Sequence, residues 1–379
     1  MFKKITSSIF LFFKELDKIL LLICICASTI SVLALYSFYK TGALDSPRTL
    51  YVQVISTILG VIIACIISRI DYDILANLWK FHVPLTVLLV ILTFFIGITP
   101  QGTDDKAWID LGFTTFQPSE LLKLSFVLTF ALHLSKVSEN INSIKPFLLL
   151  CLHGAIPTLL IVLQGDLGSA LVFLAIFIFM MFSAGLSWKL ILIGLGSFAT
   201  AAPFVWIYVL PPYLKRRFIV AFDPALDALA DGLQQFRGMT ALGAGGLLGR
   251  GMFSENLFSV PKAYNDFIFS YIGQIFGFVG AMITLLIITL LCVKILLTAR
   301  KSRDKLGMFI CVGVFSIFMF QSVINIGMVL CFLPVIGITL PFFSAGGTSV
   351  LVSYMAIGMV LSVYRGNRKV LLFDVLCVL

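Results

Sequence analysis

Charge is what this chain has least of. Only 12% of its 379 residues are Asp, Glu, Lys or Arg, against 60% hydrophobic, and the mean hydropathy is +1.09. A soluble chain of this length carries about 25% charged residues to cover its surface. That shortage excludes a soluble fold and leaves lipid as the solvent. Acidic residues are scarcer than basic ones, 18 against 27, for a net charge of +9. The cations are spread along the chain rather than gathered in one stripe, so they are not a nucleic-acid footprint, and membrane orientation accounts for them. Histidine is rarer still: His82, His133 and His153 are scattered and offer no transition-metal ligand set. The cysteines Cys24, Cys26, Cys65, Cys151, Cys292, Cys311, Cys331 and Cys377 lie in or beside apolar runs without a CxxC spacing. They read as small core residues, not as disulfides or metal ligands. Two-residue alternation is missing as well, which excludes a transmembrane β-barrel.

What the chain has is long apolar runs. A spanning helix needs about 20 such residues, because it rises about 1.5 Å per residue across a hydrocarbon core about 30 Å thick. Ten runs qualify: 17–39, 50–69, 76–98, 119–135, 147–163, 167–184, 188–210, 266–298, 307–330 and 344–364. The predicted fold is all-α, a polytopic membrane protein forming a single domain over 1–379. The first run follows Lys3, Lys4, Lys14 and Lys18 but is too long for a signal peptide and lacks a small-residue cleavage site, so it reads as a retained helix. With the N-terminus inside, Arg69, Lys80, Lys136, Lys145, Lys189, the cluster Arg300, Lys301, Arg303 and Lys305, and Arg365, Arg368 and Lys369 all fall in the cytoplasm. Only Lys40, Arg48 and Lys106 fall in short outer loops, as the positive-inside rule requires. Both termini are then cytoplasmic, and the long Gly-rich segment 211–265, between the seventh and eighth helices, is extracellular. Its scattered Phe218, Phe222, Leu242, Leu247, Leu248 and Phe258 predict short amphipathic helices on the membrane surface.

In this topology the fourth, sixth, eighth and tenth helices all begin at the outer surface. Helix N-termini present unpaired N–H groups and a positive dipole end, which together favour an anion such as phosphate. The four starts read Gln117-Pro118-Ser119-Glu120, Gln164-Gly165-Asp166-Leu167-Gly168, Asn265-Asp266-Phe267 and Ser344-Ala345-Gly346-Gly347-Thr348-Ser349. Ser, Asp and Asn are also the ordinary helix caps, so any one start alone is equally well a cap. Ionisable residues just inside a membrane are costly and usually functional, and here there are several. Glu120 and Lys123 stand three apart on one helix face, spaced to neutralise one another. Asp166 and Asp266 stand at two further helix starts, at a depth that lets both face one cavity.

The strings Trp108-Ile109-Asp110-Leu111-Gly112, Phe116-Gln117-Pro118-Ser119-Glu120-Leu121-Leu122-Lys123, Gln164-Gly165-Asp166-Leu167-Gly168, Phe222-Asp223-Pro224, Gly245-Gly246-Leu247-Leu248-Gly249-Arg250-Gly251, Asp266-Phe267-Ile268-Phe269 and Pro341-Phe342-Phe343-Ser344-Ala345-Gly346-Gly347-Thr348-Ser349 occur in that order. Together they resemble the SEDS family of RodA, FtsW and SpoVE over nearly the whole chain, with RodA the nearest in overall look. The resemblance implies ten helices and a peptidoglycan glycosyltransferase that polymerises lipid II beside a class B penicillin-binding protein. It also implies an undecaprenyl tail held in lipid and a pyrophosphate at helix starts and basic side chains. By the same resemblance Asp266 is the general base, taking the proton of an acceptor 4-hydroxyl as that oxygen attacks the donor's anomeric carbon and inverts it to a β-1,4 link. Gln117, Glu120, Lys123, Asp166, Ser344, Gly346, Gly347 and Ser349 are the candidate substrate contacts. Arg216 and Arg217 are candidates for the pyrophosphate or, equally, for anionic membrane lipid. No cofactor is evident; Mg or Mn on the pyrophosphate fits the family, but no carboxylate cluster demands it.

The chain also departs from the family. Tyr264-Asn265 replaces the usual His-Thr and Gln274-Ile275 the frequent Glu-Glu, while Lys262 replaces a Glu, Ala107 an Arg, Gly165 a Pro and Ala345 a Tyr. Two other readings stay open at this level: a flippase or transporter for lipid-linked precursors, and a non-catalytic scaffold for the penicillin-binding protein in division or sporulation. A transporter would place its charges near the midplane, and these lie near helix ends. A reporter inserted within 225–260 is expected to behave as extracellular and one placed after Arg365 as cytoplasmic; a cytoplasmic 225–260 would overturn the whole assignment of the site.

Overall fold

The computed structural model describes residues 15–44, 46–99, 106–112, 114–227, 230 and 232–377, with side chains left aside at 198, 209, 213, 214 and 368–377. Lys3, Lys4 and Lys14 lie outside the described residues. The helices are α1 (Lys18–Lys40), α2 (Arg48–Ile67), a short α3 (Tyr72–Asn77), α4 (Trp79–Ile96), α5 (Pro118–Val137), α6 (Ile144–Leu163), α7 (Leu167–Ser183) and α8 (Trp188–Phe204). They continue as α9 (Pro212–Phe222), α10 (Leu233–Ala244), α11 (Ile268–Arg300), α12 (Lys305–Val329) and α13 (Gly347–Cys377). A two-stranded antiparallel hairpin, β1 (Ile109–Asp110) and β2 (Thr115–Phe116), pairs Ile109 with Phe116. Among the described residues nine helices are long and apolar enough to cross a membrane, and α7, at 17 residues, is a shorter tenth. The ten runs of the sequence therefore correspond to ten helices.

The helices α12 and α13 run through the middle of the bundle and are buried on most sides. Phe81, Phe95 and Ile144, on α4 and α6, are instead 75%, 81% and 80% exposed. Apolar exposure on this scale belongs in lipid. α8 has no buried residue among those described. At the end opposite the long 211–265 segment, Asp304 caps α12 through the Gly307 N–H (2.8 Å) and accepts the Tyr72 hydroxyl (2.6 Å), with Arg303 alongside at 3.1 Å. Burial opposes its charge, but these donors together hold the Asp304 carboxyl below its usual range. Arg303 also reaches Asp73 at 2.6 Å, and its backbone N–H donates to Asn367 Oδ1, so one residue joins α3, α12 and α13.

The 33-residue α11 would be about 50 Å long if straight, more than a bilayer core requires. It breaks at Gly277, whose φ is +69°. The break interrupts the helical ladder, and the glycine-rich turn 245–251 supplies the missing partners. The Phe278 N–H donates to the Gly246 carbonyl (2.8 Å) and Val279 to Leu247 (3.2 Å), while Arg250 donates to Gln274 (2.9 Å) and Gly251 to Ile275 (3.1 Å). Backbone of irregular shape persists at membrane depth only where protein satisfies it, as here. The approach leaves no room for side chains: a Cβ on Gly249 would strike the Ile275 carbonyl, and one on Gly277 would strike the Gly249 amide. The expected surface helices are found in part. α9 exposes Phe218, Ile219 and Phe222, but α10 packs against α11, with buried Gln235 donating to the Met328 and Leu333 carbonyls, both at 2.9 Å. Gly277→Ala is expected to cost at least about 1–3 kcal/mol from its left-handed backbone alone and to lower the melting temperature of the detergent-solubilised protein. Gly194→Ala, on open α8, is expected not to lower it.

Candidate functional site

A cavity of about 940 Å³ opens at the end of the bundle where α2, α5, α7, α11 and α13 begin, walled by the β-hairpin, α9, α10 and the 335–349 segment. Five helix N-termini therefore share one rim. The cations Arg48, Arg217 and Lys262 and the anions Asp110, Glu120, Asp166 and Asp266 all line it. Charges of both signs in a recess between apolar helices mark a polar site in an otherwise lipid-adapted chain.

Asp266 lines the cavity and is partly buried. It stands one residue before the cap position of α11, which is Phe267. The Asp266 carbonyl accepts from Asn325 Nδ2 of α12 at 2.8 Å, and the same amide donates to the Ile338 carbonyl at 2.7 Å. Asp166 does act as a cap, accepting the Ser169 N–H at 2.8 Å through Oδ1 and Gln117 Nε2 at 2.7 Å through Oδ2, so the starts of α5 and α7 are tied together. Gly346 and Gly347 line the cavity at the start of α13, where a Cβ on Gly347 would come within 2.7 Å of Val52. Ser349 lines it too, its hydroxyl 3.3 Å from that of Thr339.

Three predicted contacts fall elsewhere. Lys123 pairs with Glu120 at 2.7 Å, as the spacing predicted, but only Glu120 lines the cavity; Lys123 is 1% exposed and lies behind it. Arg216 points to Asp227 (2.6 Å) and does not line the cavity, whereas its neighbour Arg217 does, because successive helical residues face different ways. Ser344 is buried in a structural role, donating to the Asn265 carbonyl (2.6 Å) and accepting the Leu340 N–H (2.8 Å). Sequence reasoning passed over Arg48 in α2, a helix that also starts on this rim, and Gln321 in α12, which both line the cavity, and Gln53 and Asn325, which fasten its wall backbone from behind. The cue was available for α2, since alternation places its start beside those of the other four. His133 and His153, read as scattered, meet with their Nδ1 atoms 3.1 Å apart.

The departures from the family divide by place. Lys262, Tyr264, Asn265 and Ala345 line the cavity, whereas Gln274 and Ile275 do not. Gln274 is fully buried, and neither of its amide atoms has a hydrogen-bond partner among the described residues. Ala107 is also buried, and Gly165 adopts φ +88°, which a proline in its place could not.

Fold and cavity together define a multi-pass membrane protein with a recess lined by charges of both signs at one end of its helix bundle. Over residues 14–369 the chain matches the FtsW/RodA/SpoVE family, described as "Cell cycle protein", and it belongs to that family. It is 31% identical over 371 residues to a probable peptidoglycan glycosyltransferase FtsW of Trichlorobacter lovleyi, covering 93% of this chain and 94% of the relative. It is 32% identical over 365 residues to the stage V sporulation protein E of Bacillus subtilis, covering 93% and 98%. A chain in a solved peptidoglycan synthase complex, described as coordinating polymerization and crosslinking, superimposes with a TM-score of 0.78 at 29% identity, covering 93% of this chain and 99% of that one.

Proposed function

We propose that the protein polymerises lipid II into glycan strands at the outer face of the bacterial cytoplasmic membrane, with both termini cytoplasmic and a class B penicillin-binding protein as partner. Lipid II is an undecaprenyl-pyrophosphate disaccharide-peptide, and the chain's membrane lipid surroundings suit its tail. The observation that carries this reading is Asp266 in one cavity with Arg48, Arg217 and Lys262 at the rim of five helix starts. Cations and helix dipoles stabilise the pyrophosphate as it leaves with the bonding electrons of the anomeric C–O bond. Since that leaving group is already anionic, the second carboxylate that protonates it in glycosidases is unnecessary, and one general base suffices. Asp266 takes the proton of the acceptor's 4-hydroxyl as the oxygen attacks from the opposite face, giving inversion.

Glu120 neutralises Lys123 behind the cavity, so that buried cation is not a substrate contact and the pair leaves the start of α5 charge-balanced. A divalent cation, Mg or Mn, is not required by these residues. Among those described, no three of His, Cys, Asp or Glu converge, so such an ion would be held chiefly by the substrate's phosphate oxygens. Cell-wall elongation and cell shape are the role we favour. The identities to the FtsW and stage V relatives are nearly equal, and the partner chain decides between elongation, division and sporulation. Against the scaffold reading, the lost carboxylates at 274 and 275 lie off the cavity. Against the transporter, the charges gather at one end of the bundle.

With the partner penicillin-binding protein present, Asp266→Asn is expected to lower lipid II polymerisation about 10² to 10⁴-fold, leaving no glycan ladder on a gel while expression and partner binding persist. Asp166→Asn, which keeps the Oδ1 cap, is expected to leave a weakened ladder. Normal glycan from the Asp266→Asn protein would overturn the assignment.

A further inference from the structure

A second cavity of about 1000 Å³ lies beside the first, between the end of α1 and the 253–264 segment. Its floor is aromatic: buried Phe38 and Tyr271 stack with ring centroids 3.5 Å apart, and Tyr264 meets Phe38 edge-on at 6.3 Å. Its walls carry Tyr36, Phe253 and Phe258, which are 38%, 59% and 43% exposed, Tyr36 and Phe253 forming an edge-to-face pair at 6.0 Å. Its charges nearly balance, with Lys40 and Lys262 against Glu255. Pro261, Lys262 and Tyr264 line both cavities, so a single stretch of chain separates them, and Asp266 follows two residues after Tyr264.

An interfacial aromatic belt would explain Tyr and Phe at this level of the membrane. Belt residues, however, face outward, whereas these rings close over a stacked floor inside a recess. A lipid tail would be a poor occupant of a recess rimmed by three charges and several hydroxyls. The lining presents flat apolar faces beside hydroxyl and amine donors, and a pyranose has the complementary surface, an apolar C–H face ringed by hydroxyls and amides.

We infer that this second cavity holds the sugars already joined into the growing glycan strand. The inference rests on the polymerase reading above. In that reading the strand's anomeric end, still on its pyrophosphate, lies at Asp266, and the 261–264 wall beside it is the stretch that both cavities share, so the sugars behind that end have the second cavity next to them. A hold on those sugars keeps the strand bound between additions and takes no part in the chemical step.

The test uses the full chain with its partner and the double variant Tyr36→Ser/Phe253→Ser, made at two exposed rings. Glycan gels are expected to show short strands in place of long ones, with the initial rate of lipid II consumption within about twofold of wild type. In parallel, lipid-free strands of GlcNAc-MurNAc repeats are titrated onto the Asp266→Asn protein with and without the double substitution, and about tenfold weaker binding is expected. Phe258→Ser reads both quantities independently should the double variant fail to fold. Unchanged strand length, or shortened strands with unchanged strand affinity, would overturn the inference. If wild type made no glycan yet bound strands through these rings, the polymerase reading would fail while the sugar site stood.

Discussion

The geometry of the cavity depends on one buried amide. Asn325, fully buried in α12, donates both hydrogens of Nδ2 to carbonyls of irregular backbone, those of Asp266 and Ile338. Neither carbonyl belongs to a helix, and in a lipid environment an unbonded one costs about 1–3 kcal/mol. The same pair of segments is pinned by Ser344 to Asn265 and by the Ala345 N–H to the Tyr264 carbonyl at 2.8 Å. From α2, Gln53 accepts the Gly346 N–H at 3.3 Å and donates to Ser31 at 2.9 Å. Buried side chains of α2 and α12 thus set where the 261–267 turn carries its aspartate and where α13 begins.

The exchange between the turn 245–251 and the kink at Gly277 follows the same rule with backbone in place of side chains. Four hydrogen bonds restore what the break removes, which lets the first part of α11 leave the line of the membrane-spanning part. α10 is packed against that first part: Gly238 lies so close that a Cβ there would come within 2.7 Å of the Phe267 ring, directly after Asp266. The long segment between α8 and α11 is therefore structural for the site: Gly238, Gly245 and Gly249 are required by close contact, and Gly246 and Gly251 by their positive φ.

Hydropathy made the ten spans legible, because lipid requires length and apolarity of every spanning helix whatever its neighbours. The Glu120–Lys123 pair was legible too, since i, i+3 spacing is a property of one helix. Which partner faces the cavity was not, because that depends on how α5 is rotated against α7 and α12. Arg216 and Arg217, both candidates by sequence, could not be told apart for the same reason. Asp166 and Asp266 look alike as acidic residues at helix starts, yet one occupies the cap position of its helix and the other stands one residue before it. Asn325, His133 and His153 carry no local signal at all, since their partners lie on other elements.

The most direct measurement is the steady-state kinetics of lipid II polymerisation by Asn325→Leu, a change that keeps the number and branching of the side-chain heavy atoms and leaves Asp266 in the chain but unfastens its carbonyl. Misplacing a catalytic group by about 1 Å costs on the order of 10²-fold in rate. A loss of that size in kcat is expected, with KM for lipid II within about twofold and wild-type yield of extracted protein. Wild-type kcat in the Asn325→Leu protein would contradict it.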